Sequence, residues 1–561
     1  MTAQAGSEHD VVIVGSGAGG GALAWALSRH GIRVLLLEAG PEYDPHTDYR
    51  LADNDWELTG FPFKPGSQGK HSFAPLQRLE PRWDGLRTWS KLLGKGVTGD
   101  RRTASAYNHV RGVGGSTLHF TGEAHRLHPA AMKMRSRFGV AADWPLEYAE
   151  LEPYYLEAER LIGVAGPAKD TVRTRSAPYP LPPHPLSYAS QRLQQGCRKL
   201  GLDWGPNPIA ALSAPYDGRP PCNYCANCNR GCPRLDKGSV DITFIRKARA
   251  SGFCTVWPET MVTRVEAGTG DRVAAVHYLD TDGNAHRLKA RAIVIACGAV
   301  DTPRLLLLSE NHHAPDGLAN DSGQVGRHFM ETVFWVSTGL HPEPLGSHRG
   351  HPSDAICWDF NAPDAIPGVI GGCRFTPTAG EADLTGPANY AYRVAGGWGK
   401  SGKDALRKAF GRALSIGAIG ENLPNTGSFV DLDPDEKDAA GLPVARIHSH
   451  LDATECRRLE FMAKTCREIL HAAGVEEIFE EYGNYDNFNT THVFGTCRMG
   501  ADAHQSVVDR YCRSHRWRNL FVVDASVFPS SGGGESPSLT IEALAIRSAD
   551  HMRELMQRRE L

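Results

Sequence analysis

Residues 11–40 read VVIVGSGAGGGALAWALSRHGIRVLLLEAG, and the fold follows from how that stretch must turn. Val11 to Val14 form an unbroken apolar run, the pattern of a parallel strand buried on both faces. Gly15, Gly17 and Gly20 then give G-x-G-x-x-G where the strand has to become a helix, expected to continue from Ala22 to His30. The first glycine allows the tight turn, the second lets backbone approach a pyrophosphate, and the third lets helix pack on strand. The N–H groups and dipole at the helix N-terminus favour the phosphates' charge. A second apolar run, Val34 to Leu37, ends in Glu38, 23 residues after Gly15, where a ribose-binding acid belongs. Two strands, the helix and the acid all stand in place. The stretch predicts a βαβ unit that binds a dinucleotide.

A chain of 561 residues exceeds what one core supports, so two or more domains are expected. Its 41% hydrophobic and 22% charged content is that of a soluble globular protein. The formal net charge of −3 argues against a polyanion binder, so no nucleic-acid partner is expected. The N-terminal MTAQAGSEHD has neither a basic nor an apolar leader region, and no apolar run reaches the roughly 18–20 residues that span a bilayer. A cytoplasmic protein without a membrane span is the expectation. The 13 cysteines are odd in number and mostly scattered, which suits a reducing compartment better than a disulfide framework.

Residues 41–105 carry no long periodic pattern and read as loops covering the nucleotide fold. Residues 110–128, VRGVGGSTLHFTGEAHRLH, place Gly112, Gly114, Gly115 and Ser116 where backbone can approach a ligand. His119 follows, and alone it reads as a polar residue satisfied beneath a loop. Residues 145–165 form an amphipathic pattern. ARAIVIACGAVDTP at 290–303 is a buried strand running into small residues, Ala296 and Gly298 among them, with a helix from Pro303. It reads as a return of the first sheet beside the cofactor. From 320 to 480 short strands, many Gly and Pro and a helix at 452–473 suggest a mostly antiparallel substrate domain. Near the C-terminus a buried strand ends at Asp524 and Ala525, and Ser536-Pro537 reads as the N-cap and first position of a helix.

Together these landmarks resemble the glucose–methanol–choline (GMC) flavoprotein oxidoreductases, nearest to the pyranose oxidase, gluconate dehydrogenase and long-chain alcohol oxidase branches. The likeness rests on VVIVGSGAGG, RGVGGST, ACGAVDTPRLLLLS, VGRHF at 325–329, HVFGTCRMG and VVDASVFPS. It implies an α/β fold: a discontinuous Rossmann-like FAD-binding domain plus a substrate domain on a largely antiparallel sheet. The expected parts are 1–145, 216–320 and 486–561 for FAD, 146–215 as a cap segment and 321–485 for substrate. It also implies that FAD meets Gly15, Gly17, Gly20, Glu38, Gly114, Gly115, Ser116, His119, Ala296, Gly298, Asp524, Ala525 and Pro537. His492 matches the family's active-site histidine in H-x-x-G-T, and an unperturbed pKa near 6.5 suits it as the base. The helix at Pro537 would aim its positive end at the flavin pyrimidine ring.

Two departures from the family pattern matter. Ser536 stands where the family has Asn or His, so its reach to a substrate hydroxyl is shorter, and neighbouring Glu535 becomes a candidate for that contact or for a cationic substrate group. GGSTLHF matches branches in which this histidine is joined to the flavin C8-methyl in some members, making His119 a candidate for a covalent link.

Cys222, Cys225, Cys228, Cys232 and Pro233 have the C-x₂-C-x₂-C-x₃-C-P spacing of ferredoxin-type iron–sulfur runs. Only one such run exists, and flavin-only long-chain alcohol oxidases carry a similar segment. Reduced structural thiols are the preferred reading, with an iron–sulfur cluster or zinc as alternatives. The expected activity is FAD-dependent oxidation of an alcohol, with a lean to a hydroxyl of a sugar, aminosugar or glycoside in a biosynthetic pathway. Oxygen, a quinone or a redox protein would take the electrons. The alternatives are an electron-transfer dehydrogenase subunit working through the Cys222–Cys232 loop, a long-chain alcohol oxidase, and a lyase that uses flavin only structurally.

Overall fold

The computed structural model describes residues 9–561 apart from 55, 62 and 381, so the reading of the N-terminal leader falls outside the described residues for positions 1–8. Val11–Val14 is the central strand of a five-stranded sheet ordered 520–522, 292–295, 11–14, 34–37, 254–257. Every pairing in it is parallel, with Ile13 beside both Leu36 and Val294. Its central strands are buried on both faces, as their unbroken apolar runs require. Because the strands come from distant parts of the chain, the nucleotide-binding unit is discontinuous, as expected. The helix after the glycine turn, Ala18–Ser28, packs on the C-terminal helix Ser538–Gln557.

The helix expected from Pro303 begins five residues earlier, at Gly298, and runs to Leu308. Proline inside a helix leaves the carbonyl four residues back without its donor. Here that carbonyl belongs to Ala299, and the Thr496 hydroxyl donates to it at 2.8 Å. A tertiary partner makes the internal proline tolerable, and the same bond fixes the loop that carries His492.

The second layer is a six-stranded sheet ordered 373–377, 413–420, 333–340, 477–483, 89–90, 94–95, antiparallel at every pairing. The helix Ala453–Ala472 packs against it, and Asp452 and Glu455 close a capping box at its N-terminus. A further helix, Gly399–Ala409, was not expected, because Gly399 and Gly402 interrupt its pattern. The C-terminal helix also differs by one residue: Pro537 is the cap, and no side chain caps it. Ser536 is therefore outside the helix and free to bond elsewhere.

Candidate active site

A cavity of about 650 Å³ runs between the two sheets. One end is built by two glycine turns that face each other. A Cβ on Gly15 would stand 2.4 Å from the Ala296 carbonyl oxygen, and one on Gly20 1.9 Å from that of Gly15. Gly15 adopts φ +95°, which disfavours any other residue. Above Gly17 the nearest atom to a Cβ would be Gly115 Cα, at 3.8 Å, so that face stays open for a ligand. Glu38 ties the turns together. Its Oε2 accepts from Ser16 N at 3.0 Å and Ser16 Oγ at 2.6 Å. Its Oε1 accepts from Gly40 N at 3.0 Å and Gly112 N at 3.1 Å. Burial pushes its carboxyl up, and these donors oppose the shift.

Gly15, Gly17, Glu38, Gly115, Ser116 and His119 line the cavity, as do Ala296, Gly298, Asp524, Ala525 and Pro537. Gly20 and Gly114 do not; they are packing glycines, and a Cβ on Gly114 would stand 2.9 Å from Leu118. Asp524 Oδ2 accepts from Gly298 N at 3.0 Å and Thr302 Oγ1 at 2.6 Å, which joins the C-terminal strand to the helix at 298–308. An elongated ligand with a pyrophosphate between the glycine turns suits this lining.

At the far end His119, His492 and Ser536 meet in the same cavity. The His492 backbone oxygen is held by Thr332 N at 3.0 Å, while its imidazole has no hydrogen-bond partner among the described residues. Burial lowers its pKa to about 4; the Glu123 carboxylate opposes that shift and Arg374 adds to it. His119 falls to about 3 through burial, with Lys237 and His492 adding to the effect. Both rings are therefore neutral near pH 7, and His492 can accept a proton.

Glu123 was not picked out from sequence. It lines the cavity, and Arg374 grips it with two bonds, Nη1 to Oε1 at 2.9 Å and Nη2 to Oε2. Ser536 Oγ donates to its Oε2 at 2.8 Å and Asn207 Nδ2 to its Oε1 at 3.1 Å. Burial works against the charge, yet Arg374, His125 and Ser536 together hold the carboxyl below its ordinary range. The Ser536 backbone N–H donates to His125 Nδ1 at 3.1 Å, which fixes that ring as the Nε2–H tautomer facing Asn207 Oδ1 at 2.8 Å. The sequence signal was faint: an acid four residues after His119, and an arginine inside a strand that turns out fully buried.

Family models described as GMC oxidoreductase match residues 93–332 and 424–545, and one for an NAD(P)-binding Rossmann-like domain matches 13–73. The chain belongs to the GMC oxidoreductase family. It is 31% identical to the fructose dehydrogenase large subunit of Gluconobacter japonicus, over 96% of this chain and 97% of that one. It is 29% identical to the 6'''-hydroxyparomomycin C oxidase of Streptomyces lividus, over 96% and 90%. The fold matches that of pyridoxine 4-oxidase from Mesorbium loti with a TM-score of 0.62 at 19% identity, covering 98% and 99% of the two chains. As a GMC oxidoreductase the protein is a FAD-dependent enzyme acting on CH–OH donors.

The hydrogen bonds of this GMC oxidoreductase bear on two of the expected substrate contacts, Glu535 and Ser536, and on the cysteine loop. Glu535 does not line the cavity. Its Oε1 accepts from Arg173 Nη2, Asn361 Nδ2 and His128 N, each at 3.0 Å, so it is a buried ion-pair partner, while its Oε2 is buried without a hydrogen-bond partner among the described residues. The Ser536 hydroxyl is committed to Glu123, which leaves only its lone pairs for a substrate. At the cysteine loop, burial pushes Cys222 up to about 12 and Cys232 up to about 11, so these thiols stay protonated. Among the described residues no group of three or more His, Cys, Asp or Glu is gathered to hold a metal, so neither the cluster nor the zinc reading gains support.

Proposed function

We propose that the protein oxidises a hydroxyl of a sugar, aminosugar or glycoside to the aldehyde or ketone. The observation that carries this reading is the uncommitted His492 imidazole in a cavity that Glu123 also lines. Bound FAD supplies the acceptor for the hydride that leaves the carbinol carbon. His492 takes the hydroxyl proton, and its neutral form is present above about pH 4. As that proton arrives the ring gains positive charge, and the fixed Glu123 carboxylate stabilises it. Ser536 holds Glu123 in register, and its lone pairs remain for a substrate hydroxyl. Gly15, Gly17 and Gly115 would seat the pyrophosphate region, with Glu38 toward the ribose and Asp524 holding the Gly298 turn beside the cofactor. Residues 9–145 without the strands 89–90 and 94–95, together with 216–320 and 486–561, then form the cofactor-binding part, and 321–485 with those two strands forms the substrate-binding part.

Polar groups along the cavity, among them Thr332, Thr378 and Asn229, suit a substrate with several hydroxyls. The relatives named for fructose and for a hydroxyparomomycin point to the same class. The test is anaerobic reduction of the bound flavin by a panel of sugars, aminoglycosides and aliphatic alcohols, followed by admission of air. Bleaching by polyols and not by long-chain alcohols supports the proposal; bleaching by long-chain alcohols alone overturns it.

A further inference from the structure

Among the described residues few large apolar side chains are exposed, and four of them, Leu92, Leu93, Tyr392 and Trp398, lie on two segments that meet where Leu92 packs on Gly396. Leu92 and Leu93 form the tip of the turn between the strands 89–90 and 94–95, in the run Lys91-Leu-Leu-Gly-Lys95. Leu92 lies 3.3 Å from where a Cβ on Gly396 would be. Gly396 sits between Tyr392, 65% exposed, and Trp398, 89% exposed. The helix Gly399–Ala409 follows directly. Its inner side, Leu406, packs with Tyr390, Phe410 and Tyr482, while Lys400, Lys403, Arg407 and Lys408 are exposed. Residues 391–412 hold six basic side chains and one acid, in a chain whose net charge is −3. Lys400, Lys403 and Lys408 have no ion-pair partner among the described residues.

We infer that this face docks on an anionic lipid bilayer. Aromatic and leucine side chains ringed by lysines are what a membrane interface selects, the rings entering the headgroup layer and the ammonium groups meeting lipid phosphates. Lysine is depleted where two proteins meet, which favours the lipid occupant over a protein one. No helix among the described residues is long and apolar enough to cross a membrane, so the contact is peripheral. The patch also sits beside the cavity. Glu57 caps the helix at 387–390, accepting from Ala388 N at 3.0 Å and Asn389 N at 3.1 Å. Phe61 and Phe63 of the same loop line the cavity, and Phe63, 78% exposed, marks where it opens. Docking sets that opening against the bilayer, within reach of a lipid-soluble electron acceptor; this last consequence alone rests on the oxidoreductase reading of the cavity.

The test is flotation of the purified, flavin-loaded full chain with vesicles of phosphatidylcholine, with and without phosphatidylglycerol. The wild type should float only with the anionic vesicles and be released as salt rises. Lys400→Glu with Lys403→Glu and Lys408→Glu should weaken retention on the order of a hundredfold, at about a factor of five or more per lysine. Trp398→Ala with Leu93→Ser should weaken it about tenfold or more, by removing the inserted apolar surface. Flavin content and Tm should stay at wild-type values in both variants. A wild type that does not float, or variants that float as well as it does, overturns the inference. So does a wild type that stays off vesicles but loses oligomeric mass on Trp398→Ala, since the face would then be a protein interface.

Discussion

Replacing Glu123 with glutamine changes one charge and almost no volume, and its cost can be worked from the contacts. Each Glu123 oxygen accepts an Arg374 N–H, and the second acceptor position of each faces Ser536 Oγ or Asn207 Nδ2. Glutamine offers one oxygen. In either orientation its NH₂ group meets an Arg374 N–H, which cannot reverse. Breaking one side of a buried pair costs about 3–5 kcal/mol, because the remaining charge is left uncompensated. At about 2 °C per kcal/mol in a large domain, Tm should fall by roughly 6–10 °C. The carboxyl is held below its ordinary value of 4.5, so its stabilising contribution is present above that pH and is lost as pH falls below it. The variant should therefore lose stability less steeply in acid than the wild type.

The same change removes the charge that raises the His492 pKa and leaves Arg374, which lowers it. A carboxylate preorganised beside developing positive charge is worth about 10²–10³ in kcat. The assay is stopped-flow flavin reduction at saturating alcohol, well below the unfolding transition and normalised to bound flavin. The double variant Glu123→Gln with Arg374→Met separates two roles. Replacing both members of a buried pair by neutral groups is near neutral for stability. If Glu123 acts through its charge on His492, the double variant regains part of the lost Tm, Gly534 O having lost its Arg374 donor, and stays slow. A double variant that regains that Tm and wild-type kcat refutes the reasoning, for the pair would then be structural only.

His492→Ala should lower kcat by about 10²–10⁴ with flavin content unchanged. The wild-type rate should fall in acid as the ring protonates near its pKa of about 4, and the variant should lack that limb. Gly15→Ala puts a Cβ 2.4 Å from the Ala296 carbonyl at φ +95°, so the protein should purify nearly colourless; Gly85→Ala, with nothing within 4 Å, should retain its flavin absorbance. Ser536→Ala removes one donor to Glu123, which should cost about 1 kcal/mol and no more than roughly tenfold in kcat. A thousandfold loss there would place the Ser536 hydroxyl on the reacting group instead.

What sequence alone reveals here is whatever local geometry dictates. The turn at Gly15–Gly20 is legible because its constraints lie within a few residues: a positive φ and a carbonyl that leaves no room for a Cβ. The helix start at Gly298 was hidden, because the donor that makes Pro303 tolerable comes from Thr496, far along the chain. The two acids beside the active site show the same limit more sharply. Glu535 adjoins Ser536 in sequence, yet Arg173 and Asn361 draw it away from the cavity. Glu123 lies 413 residues from Ser536 and is the one its hydroxyl meets.

Which acid lines the cavity is thus decided by where two arginines sit, and the glycine loop is held by Arg374 directly and by Arg173 through Asn361. Arg374 Nε donates to Gly534 O at 2.6 Å. Asn361, which bonds to Arg173, donates to Gly533 O at 3.0 Å. The loop 532–536 is therefore clamped by two buried Glu–Arg pairs, one on each side. A Cβ on Gly533 would stand 2.2 Å from Asn361 O, and one on Gly534 2.2 Å from Ile419 O, so the clamp leaves the loop no slack. Disturbing either pair should move Ser536, and with it the Glu123 carboxylate that faces His492. Glu535→Gln should therefore slow flavin reduction by shifting Ser536, with the substrate KM unchanged; a changed KM with kcat intact would put Glu535 on the substrate instead.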